Sequence, residues 1–169
     1  MRHLLHGLLL AFIVLTFPAL SAKEPRPVAA PAGSGKVVGV TDGDTIDVMD
    51  QGRAVRLRLY GIDCPEKSQA FGTKAKQFTA DLCFGRTVRW ERKDVDRYGR
   101  SVALVWVGED LVNEKLVAAG MAWTYTRYCK PPWLRRFTDV QKIARDGKRG
   151  LWADSNPTPP WDFRKKKKK

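Results

Sequence analysis

Between Lys36 and Tyr60 apolar and polar residues alternate in short runs, and a period of two over that length specifies half-buried β-strands. Val37-Val38, Thr45 to Met49, and Val55, Leu57 and Leu59 form three such runs, with Arg56 and Arg58 on the face opposite the aliphatics. Asp50-Gln51-Gly52 is the turn between the second and third. Two more strands are expected at Thr87 to Arg92 and Ser101 to Val107, separated by the polar stretch from Lys93 to Arg100. Between the two groups, Phe71, Ala75, Phe78 and Leu82 recur at helical spacing with Gly85 as the stop. A second helix is predicted over Val112 to Ala119, ending at Gly120. A third carries Leu134, Phe137, Val140 and Ala144 on one stripe, with Pro131-Pro132 before it and Gly147 after it. Strands first, with helices interspersed and no regular βαβ alternation, define an α+β chain.

At 169 residues there is room for one domain. Residues 1–22 join a positive start at Arg2, an apolar run from Leu4 to Leu20 broken by Pro18, and small residues before Lys23. This three-part pattern predicts an export signal cleaved after Ala22, with an uncleaved membrane anchor as the alternative. Residues 23–35 are rich in Pro, Ala and Gly and read as a linker, so the folded domain is expected over 36–154, with a basic tail at 155–169. Net charge is +13, of which removing residues 1–22 takes only Arg2, and half of the remaining +12 lies between Arg164 and Lys169. Such a chain attracts polyanions, while the terminal run itself reads either as a disordered solubilising tail or as a binding element.

Both histidines, His3 and His6, fall within the predicted signal, which leaves the mature chain without an imidazole. Ser/His/Asp hydrolysis, His-paired nucleases and His-ligated zinc are excluded, so any general base is a carboxylate, a lysine or a tyrosine. Cys64, Cys83 and Cys129 lack the close spacing of a thiolate zinc site. In an oxidising compartment they predict one disulfide and one free thiol, with Cys83 to Cys129 the preferred pairing, or else three ordinary small apolar residues.

Three segments carry chemistry. Asp42-Gly43-Asp44-Thr45 places two carboxylates on one face of a strand junction, although Asp-Gly also serves as a plain turn. Arg58-Leu59-Tyr60-Gly61-Ile62-Asp63-Cys64-Pro65-Glu66 ends a strand on a cation and turns into two acids flanking a proline that stiffens the loop. Asp44, Asp63 and Glu66 are then either compensated by a bound dication or left solvated and paired with Arg58. Asp96-Arg97-Tyr98-Gly99-Arg100 is a turn bearing two guanidinium forks and a ring, groups that match phosphate oxygens and bases, though loops commonly hold such residues without a function.

In this order the three segments, with Gly150-Leu151-Trp152 after the last helix, resemble the staphylococcal nuclease (thermonuclease) family over roughly residues 36–152. The resemblance implies a five-stranded OB-type β-barrel with three α-helices. It also implies a nuclease that hydrolyses DNA and RNA with one Ca²⁺, Mg²⁺ not being excluded by the sequence. In that reading Asp44, Asp63 and the main-chain oxygen of Cys64 hold the metal, and Asp42 orients Asp44 or a metal-bound water. Glu66 activates the attacking water, and Arg58 and Arg100 clamp the phosphate. Arg97, Tyr98 and Tyr128 lie near the nucleotide. The family often has threonine where Cys64 stands, and the loop after Glu66 is shorter and different here. The expected enzyme is an exported monomer without an obligate protein partner, acting on single-stranded or breathing regions. The alternative is a catalytically silent OB-fold module that binds nucleic acid or another polyanion.

Overall fold

The computed structural model of the protein describes residues 33–167, so the predicted signal and most of the linker lie outside the described residues. In chain order the elements are β1 (Gly33–Asp42), β2 (Thr45–Asp50), β3 (Arg53–Leu59), β4 (Ile62–Asp63), α1 (Gly72–Cys83), β5 (Thr87–Val95), β6 (Ser101–Val107) and β7 (Asp110–Leu111). There follow α2 (Val112–Ala118), β8 (Trp123–Thr124), α3 (Trp133–Asp146), a 3₁₀ turn at Gly150–Ala153 and α4 (Pro160–Lys166).

The long strands run in the order β3-β2-β1-β5-β6, and β3 returns to pair with β6 in parallel through Leu57, Arg58 and Leu59 against Ser101, Val102 and Ala103. That pairing closes a five-stranded barrel and removes the sheet edges. The predicted α+β barrel is therefore the observed fold. Alternation along the strands works as expected: Ile46, Val48, Leu57, Leu59, Val88 and Val105 share the inward face and are almost completely buried. Ala75 of α1, Leu116 and Val117 of α2 and Phe137 of α3 close over the same core.

Helix α2 is pinned to the barrel by one amide. Asn113, fully buried, accepts the Val105 N–H at 3.0 Å and donates to the carbonyls of Tyr60 at 3.0 Å and Ala103 at 3.2 Å. Three backbone groups at the barrel end beside β4 are satisfied by this side chain. Asn113→Ala removes the partner of the Val105 N–H and of the Tyr60 carbonyl, while the Ala103 carbonyl keeps the Tyr60 N–H at 2.8 Å, and it is expected to cost about 2 kcal/mol or more, since each unmet buried group costs roughly 1–3 kcal/mol. Urea unfolding midpoints check this, and a loss below 1 kcal/mol contradicts it.

Three expectations need correction. The strand begins at Gly33, not Lys36, because Gly33 to Lys36 pair with Trp90 to Thr87 of β5 and Ser34 donates its hydroxyl to the Val88 carbonyl at 3.1 Å. The Pro/Gly composition that suggested a linker was compatible with a paired strand. The basic C-terminus is not a featureless tail: Pro160–Lys166 is a fourth helix that starts on a proline, and Pro160 is buried. The expected disulfide is absent, and all three cysteines are free and buried. They occupy separate surroundings: Cys83 donates its thiol to Thr79 within α1 at 3.0 Å, and the Cys129 sulfur packs beside Gly61. Burial pushes the thiols of Cys83 and Cys129 up to about 11 and that of Cys64 well above its ordinary value.

Candidate active site

The acids meet where the β1–β2 turn faces the loop after β3. Main-chain pairing starts the arrangement: Leu59 donates to the Asp44 carbonyl at 2.8 Å, so the end of β3 is held beside the start of β2. Two side-chain bonds complete it. The Asp44 carboxylate accepts the Cys64 N–H at 2.7 Å, joining residues twenty apart, and Thr79 of α1 donates to the Gly43 carbonyl at 2.6 Å. Gly43 has to be glycine, since a Cβ there would stand 2.7 Å from the Cys64 Cβ and 2.9 Å from the Ala75 Cβ. Asp-Gly-Asp is thus both a turn and a close contact that lets the acidic loop approach.

Arg58 lies between the two inner acids. Its guanidinium pairs with Asp44 through Nη1 and donates from Nη2 to Asp63 Oδ1 at 2.8 Å; Asp63 is 1% exposed. Burial opposes the charge on Arg58, yet Asp44 and Asp63 hold its guanidinium above its ordinary value. Asp42 is one step out, accepting the Asp44 N–H at 3.2 Å. Burial drives Asp44 from 3.8 up to about 7; Arg58 pulls the other way, while Asp42 and Asp63 add to the rise.

The sign of that shift makes a prediction. The folded chain keeps a proton on Asp44 that the unfolded chain gives up near 4, so the metal-free protein loses stability as pH rises from about 4 to about 7. Asp44→Asn is expected to flatten that slope and to raise stability in chelator at pH 8 by roughly 2 kcal/mol, a partial realisation of the shift. Denaturant midpoints at pH 5 and pH 8 check it, and an unchanged slope in the variant contradicts it.

Glu66 stands at the rim with its side chain 40% exposed. Its loop folds back on the start of α1: Gln69 accepts the Glu66 N–H at 3.2 Å, and a Cβ on Gly72 would sit 1.9 Å from the Glu66 carbonyl oxygen. Glycine at 72 therefore sets how tightly the loop bearing Glu66 can turn.

Arg100 adjoins the cluster, its Nη1 3.5 Å from the Thr45 hydroxyl and its Nε donating to Asp96 at 2.6 Å. Asp96 also accepts the N–H groups of Tyr98 and Arg100 at 2.9 and 3.0 Å, and these contacts lower its pKa against the opposing effect of burial. Arg97 and Tyr98 are at the tip of that turn, with the tyrosine ring exposed and the guanidinium groups of Arg97 and Arg100 at 4.8 and 5.6 Å from its centre. Tyr128 is exposed on the other flank and meets Tyr125 edge-on at 4.8 Å; Tyr125 is tied to the Gly61 carbonyl at 2.8 Å. The structure thus gathers Asp42, Asp44, Arg58, Asp63, Cys64 and Glu66, sets Arg100 beside them, and spreads Arg97, Tyr98 and Tyr128 over the rim.

Sequence reasoning missed Arg164. This residue of α4 donates from Nη2 to Asp63 Oδ2 at 2.7 Å and from Nη1 to Asp63 Oδ1 at 3.2 Å and Glu66 Oε1 at 2.7 Å. Its place in a basic run concealed it; the signal was the Pro-Pro-Trp at 159–161, a helix start with an aromatic to anchor it. Among the described residues no group of three His, Cys, Asp or Glu side chains is arranged to hold a metal ion, and Asp44 and Asp63 are instead paired with guanidinium groups.

A closed five-stranded barrel with acids and arginines converging where the start of β2 meets the end of β3 defines an OB-like α+β architecture carrying a cluster of paired carboxylates and guanidinium groups. The family model for staphylococcal nuclease homologues matches residues 56–154. The chain is 40% identical over 162 residues to the micrococcal nuclease of Shigella flexneri, covering 89% of this chain and 92% of that one. It is 44% identical over 142 residues to an uncharacterized endonuclease of Escherichia coli O157:H7, covering 83% and 91%. To the thermonuclease of Staphylococcus hyicus it is 32% identical over 171 residues, covering 91% of this chain and all of that one. The protein belongs to the staphylococcal nuclease family.

Proposed function

We propose that this nuclease is a Ca²⁺-dependent phosphodiesterase that cleaves DNA and RNA, with Glu66 activating water and Arg58 and Arg100 stabilising the charge that grows on the phosphate. The convergence of Asp44, Asp63 and Glu66 on Arg58 and Arg164, with Arg100 3.5 Å from the Thr45 hydroxyl, supports the reading, because it gathers carboxylates and guanidinium groups into one cluster.

The donor set fits a hard dication. Asp44 and Asp63 are buried oxygen donors drawn to one guanidinium, and an Asp44 pKa of about 7 marks a buried negative charge short of compensation. Asp44, Asp63 and the main-chain oxygen of Cys64 would hold Ca²⁺, which when bound supplies positive charge to a non-bridging phosphate oxygen. The chain's own residues do the remainder. Glu66, at the rim and open to solvent, accepts the proton of the water that attacks phosphorus. Arg58 and Arg100 present planar forks to the equatorial oxygens, where a preorganised donor is most effective. Arg97, Tyr98 and Tyr128 contact the flanking nucleotides by charge and stacking, contacts that favour unpaired strands and discriminate little between sugars.

The leader-like residues 1–22 support export, and the absence of histidine from residue 7 onward supports a carboxylate base. Nothing in the reading requires a second subunit. Hydrolysis of single-stranded DNA, duplex DNA and RNA, each with Ca²⁺, with Mg²⁺ and with chelator, tests it. Cleavage of both single-stranded sugars with Ca²⁺ is expected, with duplex DNA slower. Tight binding without cleavage in any metal sinks the enzyme reading and leaves the silent OB-fold module.

A further inference from the structure

Helix α4 is seven residues long, too short to be stable by itself, so it exists through what it touches. Trp161 lies flat on Tyr125, centroids 5.1 Å apart and planes within 5°, and meets Trp123 edge-on at 5.7 Å. Just before the helix, the Thr158 carbonyl accepts Gln69 Nε2 at 2.6 Å, and the same Gln69 side chain holds the Glu66 N–H. From this anchorage Arg164 reaches both oxygens of Asp63 and one of Glu66. Lys165, Lys166 and Lys167 stay exposed.

The two acids that α4 engages are those with the most exacting tasks in the function proposed above, on which this inference rests. With both Asp63 oxygens taken by Arg164, neither is free for a cation, and Glu66 faces a guanidinium instead of water. We infer that α4 is an autoinhibitory strap: Arg164 occupies the place of the dication's charge, and cation binding and α4 docking exclude one another.

The contact has the strength a reversible strap needs. The Arg164 and Glu66 side chains are 39% and 40% exposed, so their pair is screened and weak, and the hold rests on the bonds of the half-exposed Arg164 to Asp63 and on one ring, Trp161, against Tyr125 and Trp123. Breaking α4 away opens no part of the barrel core, which is closed by α1, α2 and α3. A cation that binds only the released form has its apparent dissociation constant raised by the reciprocal of the released fraction, and by linkage it raises that fraction in turn. The exposed lysines at the end of the same helix give a polyanionic strand a hold on the strap, so substrate and cation favour the same state.

Calcium titration calorimetry on the full chain and its Arg164→Gln, Arg164→Lys, Trp161→Ala and Asp63→Asn variants tests this, with amide exchange over residues 160–167 followed with and without Ca²⁺. Arg164→Gln is expected to bind Ca²⁺ about tenfold more tightly, as it would if one chain in ten were released at rest. Arg164→Lys should fall between it and the parent, since a point charge cannot bridge both acids. Trp161→Ala, which leaves the acids and the local charge untouched, should also tighten binding, and Ca²⁺ should speed exchange over 160–167 in the parent. Equal or weaker calcium binding in Arg164→Gln and Trp161→Ala, with exchange unchanged, overturns the strap while leaving the calcium reading intact. Calcium binding that is absent throughout, or that survives Asp63→Asn unaltered, overturns the calcium reading and the strap with it.

Discussion

Arg58→Ala is expected to cost about 3–5 kcal/mol of stability at neutral pH without divalent cations, the usual penalty for stripping one partner from a buried ion pair. Asp44 and Asp63 would be left buried with no guanidinium between them, and Asp44 already holds its proton to about 7 with Arg58 in place. Without Arg58 it would hold that proton still longer, so the deficit should shrink as pH falls toward 5, where the carboxyl is neutral. Turnover should fall by about 10²–10³, the cost of removing one preorganised donor to a growing oxyanion. Arg58→Lys separates the two effects. A lysine keeps the charge and much of the stability but cannot span Asp44 and Asp63, so its turnover should stay low. Equilibrium unfolding at pH 5 and pH 8, with single-turnover cleavage on the same preparations, checks both halves. A lysine variant with parental turnover removes Arg58 from the chemistry.

Glu66→Gln should do the reverse, leaving the fold alone and abolishing the reaction. The side chain is at the rim, 40% exposed, and a glutamine oxygen still accepts from Arg164, so the unfolding midpoint should move by less than about 0.5 kcal/mol. What is lost is an acceptor for the proton of water, a contribution of roughly 10²–10⁴ in rate. Binding of single-stranded DNA should persist in the variant. Comparing cleavage and binding by gel shift on one oligonucleotide separates chemistry from affinity, and a variant that cleaves at more than a tenth of the parental rate contradicts the assignment.

The barrel was legible because its strands follow a period of two that a sequence displays directly: Val55, Leu57 and Leu59 read as an inward face, and Leu57 and Leu59 are buried as read. The first three helices were legible for the same reason at the other period, with Ala75, Phe137 and Ala144 on the predicted stripes. Helix α4 was hidden because its lysines dominate the composition of the run, while the residues that seat it include Trp161 and Arg164, single positions whose partners are 36 to 101 residues away. The start of β1 was hidden likewise: Gly33-Ser34-Gly35 has no strand propensity of its own and is extended because β5 offers it a partner. At the site, residue types were readable but convergence was not. The Asp44 carboxylate reaches the Cys64 N–H across twenty residues, and only the closed barrel brings them together. The two readings of the acids, compensated by a dication or paired with Arg58, also met in an unforeseen way, since the fold pairs them with two arginines, one from the supposed tail.

Metal-assisted hydrolysis at this cluster, as proposed, is tested by cleavage of an end-labelled single-stranded DNA by the full chain, first in chelator and then with Ca²⁺ restored. Intact substrate in chelator and full cleavage on adding Ca²⁺ are expected, with no recovery in Asp63→Asn. Equal cleavage rates with and without chelator would contradict it.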